Sequence, residues 1–512
     1  MPGQQYNAED VRAYDEAGDI NFLTGSTAPG GSAAFFTART FTPDRATVGE
    51  LTLTYRAAIT PARSPRRPGP SYELRNIDGG LAGAFASFVL LPTDLATPLR
   101  LTVEWDLRTE DARGFTTRGP NDFTTELTVR ETLLVFLIAG QVHTLPAQPG
   151  AAPFNAYWIG EPPFAVEEAM RWCATAHEEL LRLFAEPDPA PYHFMLRPHP
   201  NPRDGGAATT NGFMLEYGTG AHTESARRYM FLHEMVHHFT GTFDGPIGTG
   251  SWYSEGLAEF YKIRVAEGLL DRASHQVEVE TMTASYYRNP FRALPYVEVP
   301  ALYWANSHAQ GIPYNRGFMY FTDLDTMIRD RSDGRRSVHD LVLAMIEDRR
   351  AGRPYDEGAW RAKLFAELGE SGIAHLENML AGKTIVPSSG AFGADLIRVR
   401  RSTPVAQLGF SDRSLTHAPT AVTGLDPHSS AAAAGLREGD EVTGHRGVER
   451  QVLHSAGSLV LGPEITIDVV RDGRPLRFSY VPDEVTVEEY VWQSVDNGPV
   501  LEPRKTLGQA GR

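Results

Sequence analysis

Between residues 99 and 107, Leu99, Leu101, Val103, Trp105 and Leu107 alternate with Arg100, Thr102, Glu104 and Asp106. A period of two sets one face on a core and the other in water, which predicts a half-buried strand. Leu51, Leu53 and Tyr55 alternate with Thr52 and Thr54 in the same way, and residues 126–139 read as one or two further strands. Residues 61–70 are basic and proline-rich, the composition of a solvated loop, with docking of an acidic partner as its other use. The texture changes at the prolines and glycine of 149–153. Residues 163–186 predict a helix, 191–198 a strand, and 224–240 a helix stopping at Gly241 before the turn Asp244-Gly245-Pro246. Further helices are predicted over 254–267, 317–331, 337–350 and 356–370. After Pro387 short strands with Gly and Asp turns return. Residues 465–470, the turn Asp472-Gly473 and residues 476–481 predict a hairpin. Beyond about residue 485 no pattern is strong. The expectation is a multidomain α+β chain: an N-terminal β domain over 1–150, a mostly helical domain over 151–390, a small β domain over 391–485 and a tail over 486–512.

The 512 residues fit about three domains at roughly 150 residues each. A hydrophobic content of 41% supplies packed cores and excludes a disordered chain. The net charge of −16 argues against nucleic-acid binding, which needs concentrated Lys and Arg. The single Cys173 excludes a disulfide framework and a Cys-rich zinc module. No apolar stretch approaches the ~20 residues of a membrane span, and the longest, 133–139, is strand-sized. The start MPGQQYNAED has no basic region followed by an apolar one, so the expected location is the cytoplasm; a trimmed N-terminus would fit a periplasmic or secreted protein.

The chemistry concentrates in Met230-Phe231-Leu232-His233-Glu234-Met235-Val236-His237-His238, an H-E-x-x-H pattern inside a predicted helix. Residues i and i+4 stack on one helix face, so His233 and His237 can converge on one ion. Glu234 sits beside the first ligand, placed to take a proton from a water on the metal. Catalytic zinc commonly takes a third protein ligand. Glu255 in Trp252-Tyr253-Ser254-Glu255-Gly256 is the candidate, on a second helix returning alongside the first. Glu259, one turn further, is expected to accept a hydrogen bond from a liganding imidazole and fix its tautomer. His238 points about 100° away around the helix and reads as structural. One Zn2+ per chain is expected.

His233-Glu234-x-x-His237 with Ser254-Glu255-Gly256 resembles the gluzincin metallopeptidases. The order of parts is similar to the glycyl aminopeptidase family: an N-terminal β-sandwich-like domain, a thermolysin-like catalytic domain and a C-terminal PDZ domain. The resemblance covers roughly residues 50 to 485. It implies zinc-dependent hydrolysis of peptide bonds and an oxyanion-stabilising tyrosine at Tyr314, in Ile312-Pro313-Tyr314-Asn315-Arg316-Gly317, with Arg316 where the family usually has Lys. A phenol opposite the metal would donate to developing negative charge. The family's Gly-Gly-x-Glu-His segment holds the substrate's amino group; here Gly205-Gly206-Ala207-Ala208 stands in its place, and Ala208 has no carboxylate. Glu216 is the nearest acid, out of register.

Gln407-Leu408-Gly409-Phe410 and the stretch from Ala431 to Val442 resemble a PDZ domain, with Leu408, Gly409 and Phe410 as its carboxylate-binding loop. That implies capture of a peptide C-terminus or, equally, packing and self-association. The leading expectation is a zinc metallopeptidase acting on a peptide or peptide-like substrate, an aminopeptidase with altered recognition of the amino end. The alternatives are an endopeptidase or amidase on blocked or modified peptides, and a non-catalytic scaffold binding peptides through the PDZ-like module.

Overall fold

The apolar run around 133–139 becomes Phe136–Gly140, the central strand of an antiparallel five-stranded sheet. Its neighbours are Arg113–Thr116 and Gly80–Ala84, with Gly119–Pro120 and Arg75–Ile77 at the edges. The computed structural model describes residues 6–26, 39–64, 72–150, 152–200, 204–209, 211–220, 223–246, 248–303, 306–415, 420–451 and 458–494. The chain folds as a mixed α+β structure in two compact units: residues 1–181 with 185–219, and residues 182–184 with 220–512.

In the first unit a second five-stranded sheet packs against the first. Its order is Val142–Leu145, Phe154–Ile159, Tyr192–Pro198, Gly212–Tyr217 and Gly205–Thr209. The three inner strands are parallel, and helix α1 (Val166–Leu183) makes the crossover between Phe154–Ile159 and Tyr192–Pro198. Ile77, Ala82, Phe115, Phe136 and Ile138 from one sheet meet Tyr157, Ile159, Met195 and Met214 from the other. On the outer face of the first sheet lies the ribbon Pro98–Val103 with Phe123–Thr128, where Leu101, Val103 and Trp105 pack against Leu74, Phe85 and Leu137. The change of texture near residue 150 lies inside this unit, because strands on both sides of it pair with each other. Residues 126–139 hold two strands separated by a helical turn, Val129–Leu133, capped by Thr128. In the basic stretch, the carbonyls of Pro61, Ala62 and Ser64 accept from the buried Arg75 guanidinium. Residues 65–71 lie outside the described residues.

The second unit is mostly helical up to residue 380. Helix α2 (Glu224–Thr240) starts where Thr223 accepts from the Ala226 N–H and ends at Gly241, whose φ of 60° only glycine adopts without strain. Helix α3 spans Ser251–Ala266, α4 Arg272–Arg288 and α5 Ser307–Arg331. Helices α3 and α5 cross at Gly256 and Gly317: a Cβ on Gly256 would lie 2.6 Å from the Gly317 Cα. This crossing needs two glycines, and it brings Glu255 and Tyr314 to the same place.

Helix Glu370–Leu380 lies where none is predicted, and two longer helices also differ from expectation. Helix α5 begins ten residues before Gly317, at Ser307, and carries Pro313 inside it. Proline and two glycines argue locally against a helix. The Asn306 cap on the His308 and Ala309 N–H groups and the burial of Ala309, Ile312 and Pro313 outweigh them. Helix α4 was not predicted. Its inward stripe is Glu278, Val279, Met282, Thr283, Tyr286 and Tyr287, and the polar members break the apolar period.

The C-terminal part of this unit has a three-stranded antiparallel sheet, Glu441–Gln451, Ser458–Arg471 and Arg474–Tyr480. The turn between the last two has Asp472 at φ 52° and Gly473 at φ 73°, the left-handed pair of a tight hairpin. Leu408, Phe410, Val422, Ala431, Leu436, Ile465 and Ile467 share its core. Residues beyond 485 belong to a strand: Asp483–Ser494 pairs with Leu396–Gln407 along its whole length. This strand was missed because Glu488-Glu489 interrupts the alternation. Glu489 is fully buried and meets Arg288 at 2.7 Å and Arg401 at 2.6 Å, partners distant in sequence. Among the described residues no helix is long and apolar enough to cross a membrane.

Candidate metal centre

Helix α2 presents His233 and His237 one turn apart, and α3 presents Glu255 to both. The two Nε2 atoms are 3.1 Å apart, and Glu255 Oε2 lies 3.2 Å from one and 3.3 Å from the other. A tetrahedral ion bonded at about 2.0–2.1 Å holds its ligands roughly 3.3 Å apart. The triangle therefore has the size that zinc requires, and the set of two imidazoles and a carboxylate suits it.

Glu259 Oε1 lies 3.0 Å from His233 Nδ1, which leaves Nε2 free to face the ion. The sequence reading missed what holds Glu259. Its other oxygen pairs with Lys262, and Lys262 Nζ lies 2.6 Å from Glu278 Oε1 on α4. Glu259 is 1% exposed, and Lys262 and Glu278 are 0% exposed. The one available signal was a lysine set among Leu257, Phe260, Tyr261 and Ile263. Burial works against charge on His233, but Glu259 and Glu255 outweigh it and lift the imidazole to about 10. The surroundings of the triangle are thus built to hold positive charge.

Glu234 is half-buried beside the triangle. Burial raises its carboxyl above the ordinary range, against the pull of His233 and His237. Such a carboxylate is a stronger base than one in water. The Tyr314 ring stacks on the His233 imidazole, with centroids 5.6 Å apart and planes at 16°. Burial, then the charge of Glu255, pushes its phenol well up, so it stays a neutral donor. Its hydroxyl is 3.3 Å from that of Tyr303, a neighbour the sequence reading did not single out. Arg316 is buried and donates to the carbonyls of Arg292 and Leu294, which anchors α5. His238 stands outside the triangle, edge-on to Phe239.

The residues read as amine-binding belong to the first unit. Gly205, Gly206 and Ala208 lie on the edge strand Gly205–Thr209. A Cβ on Gly206 would lie 2.6 Å from the Met214 carbonyl, so packing accounts for that glycine. The expectation for Glu216 is corrected. Its carboxylate is 1% exposed and lies 2.5 Å from Arg197, which also donates to the carbonyls of Glu73 and Ala82. An acid committed in this way has no face left for a substrate amine.

No family model matches the sequence, and no curated protein matches it. Solved structures do. The fold is similar to that of an aminopeptidase N family protein. That protein, from Idiomarina loihiensis, superposes with a TM-score of 0.65 at 14% identity, over 94% of this chain and 89% of its own. Weaker likenesses are an M1 zinc metallopeptidase from Deinococcus radiodurans (TM-score 0.43, 17% identity, 74% of this chain and 87% of that one) and leukotriene A4 hydrolase from Saccharomyces cerevisiae (TM-score 0.48, 15% identity, 74% and 61%). At these identities the likeness is one of fold.

Elemental analysis of the purified protein is expected to return about one zinc per chain, and His233→Ala to lose it with the fold retained by circular dichroism. Full zinc in His233→Ala would reject the ligand assignment.

Proposed function

We propose that the protein is a zinc-dependent metallopeptidase. The observation that carries this reading is the triangle of His233, His237 and Glu255, of tetrahedral size, flanked by Glu234 and Tyr314. Zinc held there supplies a Lewis acid and lowers the pKa of a bound water. Glu234 accepts the proton of the attacking water and hands it to the departing amine. Tyr314 donates to the oxygen that gains charge as the carbonyl carbon becomes tetrahedral. Glu259 keeps His233 in the tautomer that faces the ion.

The fold likeness to an aminopeptidase N family protein favours removal of residues from a peptide's amino end. The glycyl aminopeptidase resemblance points the same way. Recognition of that end is altered, because Ala208 has no carboxylate and Glu216 is committed to Arg197. We read the C-terminal region as a PDZ-like module that takes a peptide C-terminus or a second copy of the chain. Supporting this, Gly409 has a φ of 86°, and the carbonyls of Leu408 and Gly409 are turned inward onto Tyr480 and Asp426.

The test is a panel of fluorogenic peptides with free and blocked amino ends. The expected result is turnover of free peptides, with blocked ones slower in kcat/KM. Cleavage of blocked peptides alone would make the enzyme an endopeptidase or amidase. No turnover on any member would leave the non-catalytic peptide-binding scaffold.

A further inference from the structure

The C-terminal region also reaches the candidate active site through side chains. Arg413, in the turn Asp412–Leu415, is buried and donates to Gln310 Oε1 on α5. Gln310 is hydrogen-bonded to the Tyr303 hydroxyl. Tyr303 meets Tyr314 at 3.3 Å, and Tyr314 stacks on His233. Gly424 also comes close to α5: a Cβ there would lie 3.4 Å from the Asn306 side chain, which caps that helix.

The direction of this chain follows from donor chemistry. A guanidinium has only donors. Gln310 must therefore turn its oxygen to Arg413 and its NH2 to Tyr303. The Tyr303 oxygen then accepts from Gln310, and its own proton can be given to the Tyr314 oxygen, since either hydroxyl can donate in that pair. With the bond in that sense the Tyr314 proton is left for the cleft, every bond runs the same way, and bonds in series polarise one another.

Resting on the metallopeptidase reading, we propose that Arg413, Gln310 and Tyr303 are positioning residues that aim and polarise the Tyr314 hydroxyl toward the developing oxyanion. The C-terminal module thereby takes part in the chemistry of the catalytic centre. A buried cation at one end of the chain and developing negative charge at the other are the two ends such a chain requires.

The test is a double-variant cycle on the full-length, zinc-loaded protein with Arg413→Gln and Tyr314→Phe. Arg413→Gln is expected to lower kcat roughly tenfold with KM, zinc content and Tm unchanged, the sign of an interaction realised in the transition state. In the Tyr314→Phe background it should lower kcat no further. An equal loss in both backgrounds would overturn the proposal, as would a loss that tracks falling zinc content or Tm. If Arg413→Gln does not fold, Tyr303→Phe breaks the same chain one link on, and the same outcomes decide. Wild type inactive on every peptide would instead remove the peptidase reading itself, whereas active wild type with a silent Arg413→Gln would remove this inference alone.

Discussion

Replacing Glu234 by Gln is expected to abolish most turnover while zinc stays bound. The amide has the shape of the carboxylate but cannot take a proton from water. A positioned general base contributes about 10²- to 10⁴-fold, so kcat should fall by that amount. Glu234 is not a corner of the triangle, so the zinc content should remain at about one per chain. Its burial disfavours the charged form, so the neutral amide removes a strain, and Tm should not drop. The measurement is initial rates on the best substrate of the panel, with metal analysis and thermal melts on the same preparation. A rate within about threefold of wild type would show that another group handles the proton.

The second large effect is expected at Lys262, which is not a corner of the triangle. Lys262→Met keeps the length and apolar stem but removes the cation between Glu259 and Glu278. Burial opposes charge on Lys262, and the two carboxylates overcome it, raising its pKa. Without the ammonium, two buried carboxylates lose their shared partner. Breaking a buried ion pair from one side costs about 3–5 kcal/mol. Chemical denaturation of the zinc-loaded protein should show a loss of that size. One of the acids would take up a proton, and a protonated Glu259 holds His233 less firmly. Zinc affinity, read by chelator competition, should weaken roughly 10- to 100-fold, as for lost partners of metal ligands elsewhere. Lys262→Met with Glu278→Gln should recover part of the stability, since it removes one stranded charge. A stability loss under about 1 kcal/mol for Lys262→Met would mean that solvent or another group takes the lysine's place.

These two residues mark the line between what the chain displays and what folding adds. Glu234 was legible because an H-E-x-x-H helix is a local object. The i, i+4 spacing of His233 and His237 carries its own geometry, as do the Thr223 start and the Gly241 stop of α2. Glu255 and Glu259 were found for a related reason: one helical turn separates them, so one assignment suggested the other. The sequence analysis did not single out Lys262. Its second partner is on α4, a helix hidden because Glu278 and Thr283 occupy its inward stripe. Glu216 shows the converse. An acid near the expected substrate strand invited a binding role, until Arg197 on the adjacent strand was seen to consume it. Arg413 lies 103 residues from Gln310, and no pattern within either segment announces the other.

By itself, the sequence determined the alternation of the N-terminal strands, the helix carrying His233, Glu234 and His237, the returning helix with Glu255, and the Asp472-Gly473 hairpin. All of these are set by side chains within a turn or two of one another, where chain geometry is nearly fixed. The tertiary structure alone decided that α5 runs through Pro313, that residues 483–494 are a strand, which buried charges neutralise which, and how a C-terminal arginine comes to stand behind Tyr314. Those outcomes depend on burial. A charge in the interior must find its counterpart wherever the fold delivers it, and the distance in space between two such groups is not written in their distance along the chain.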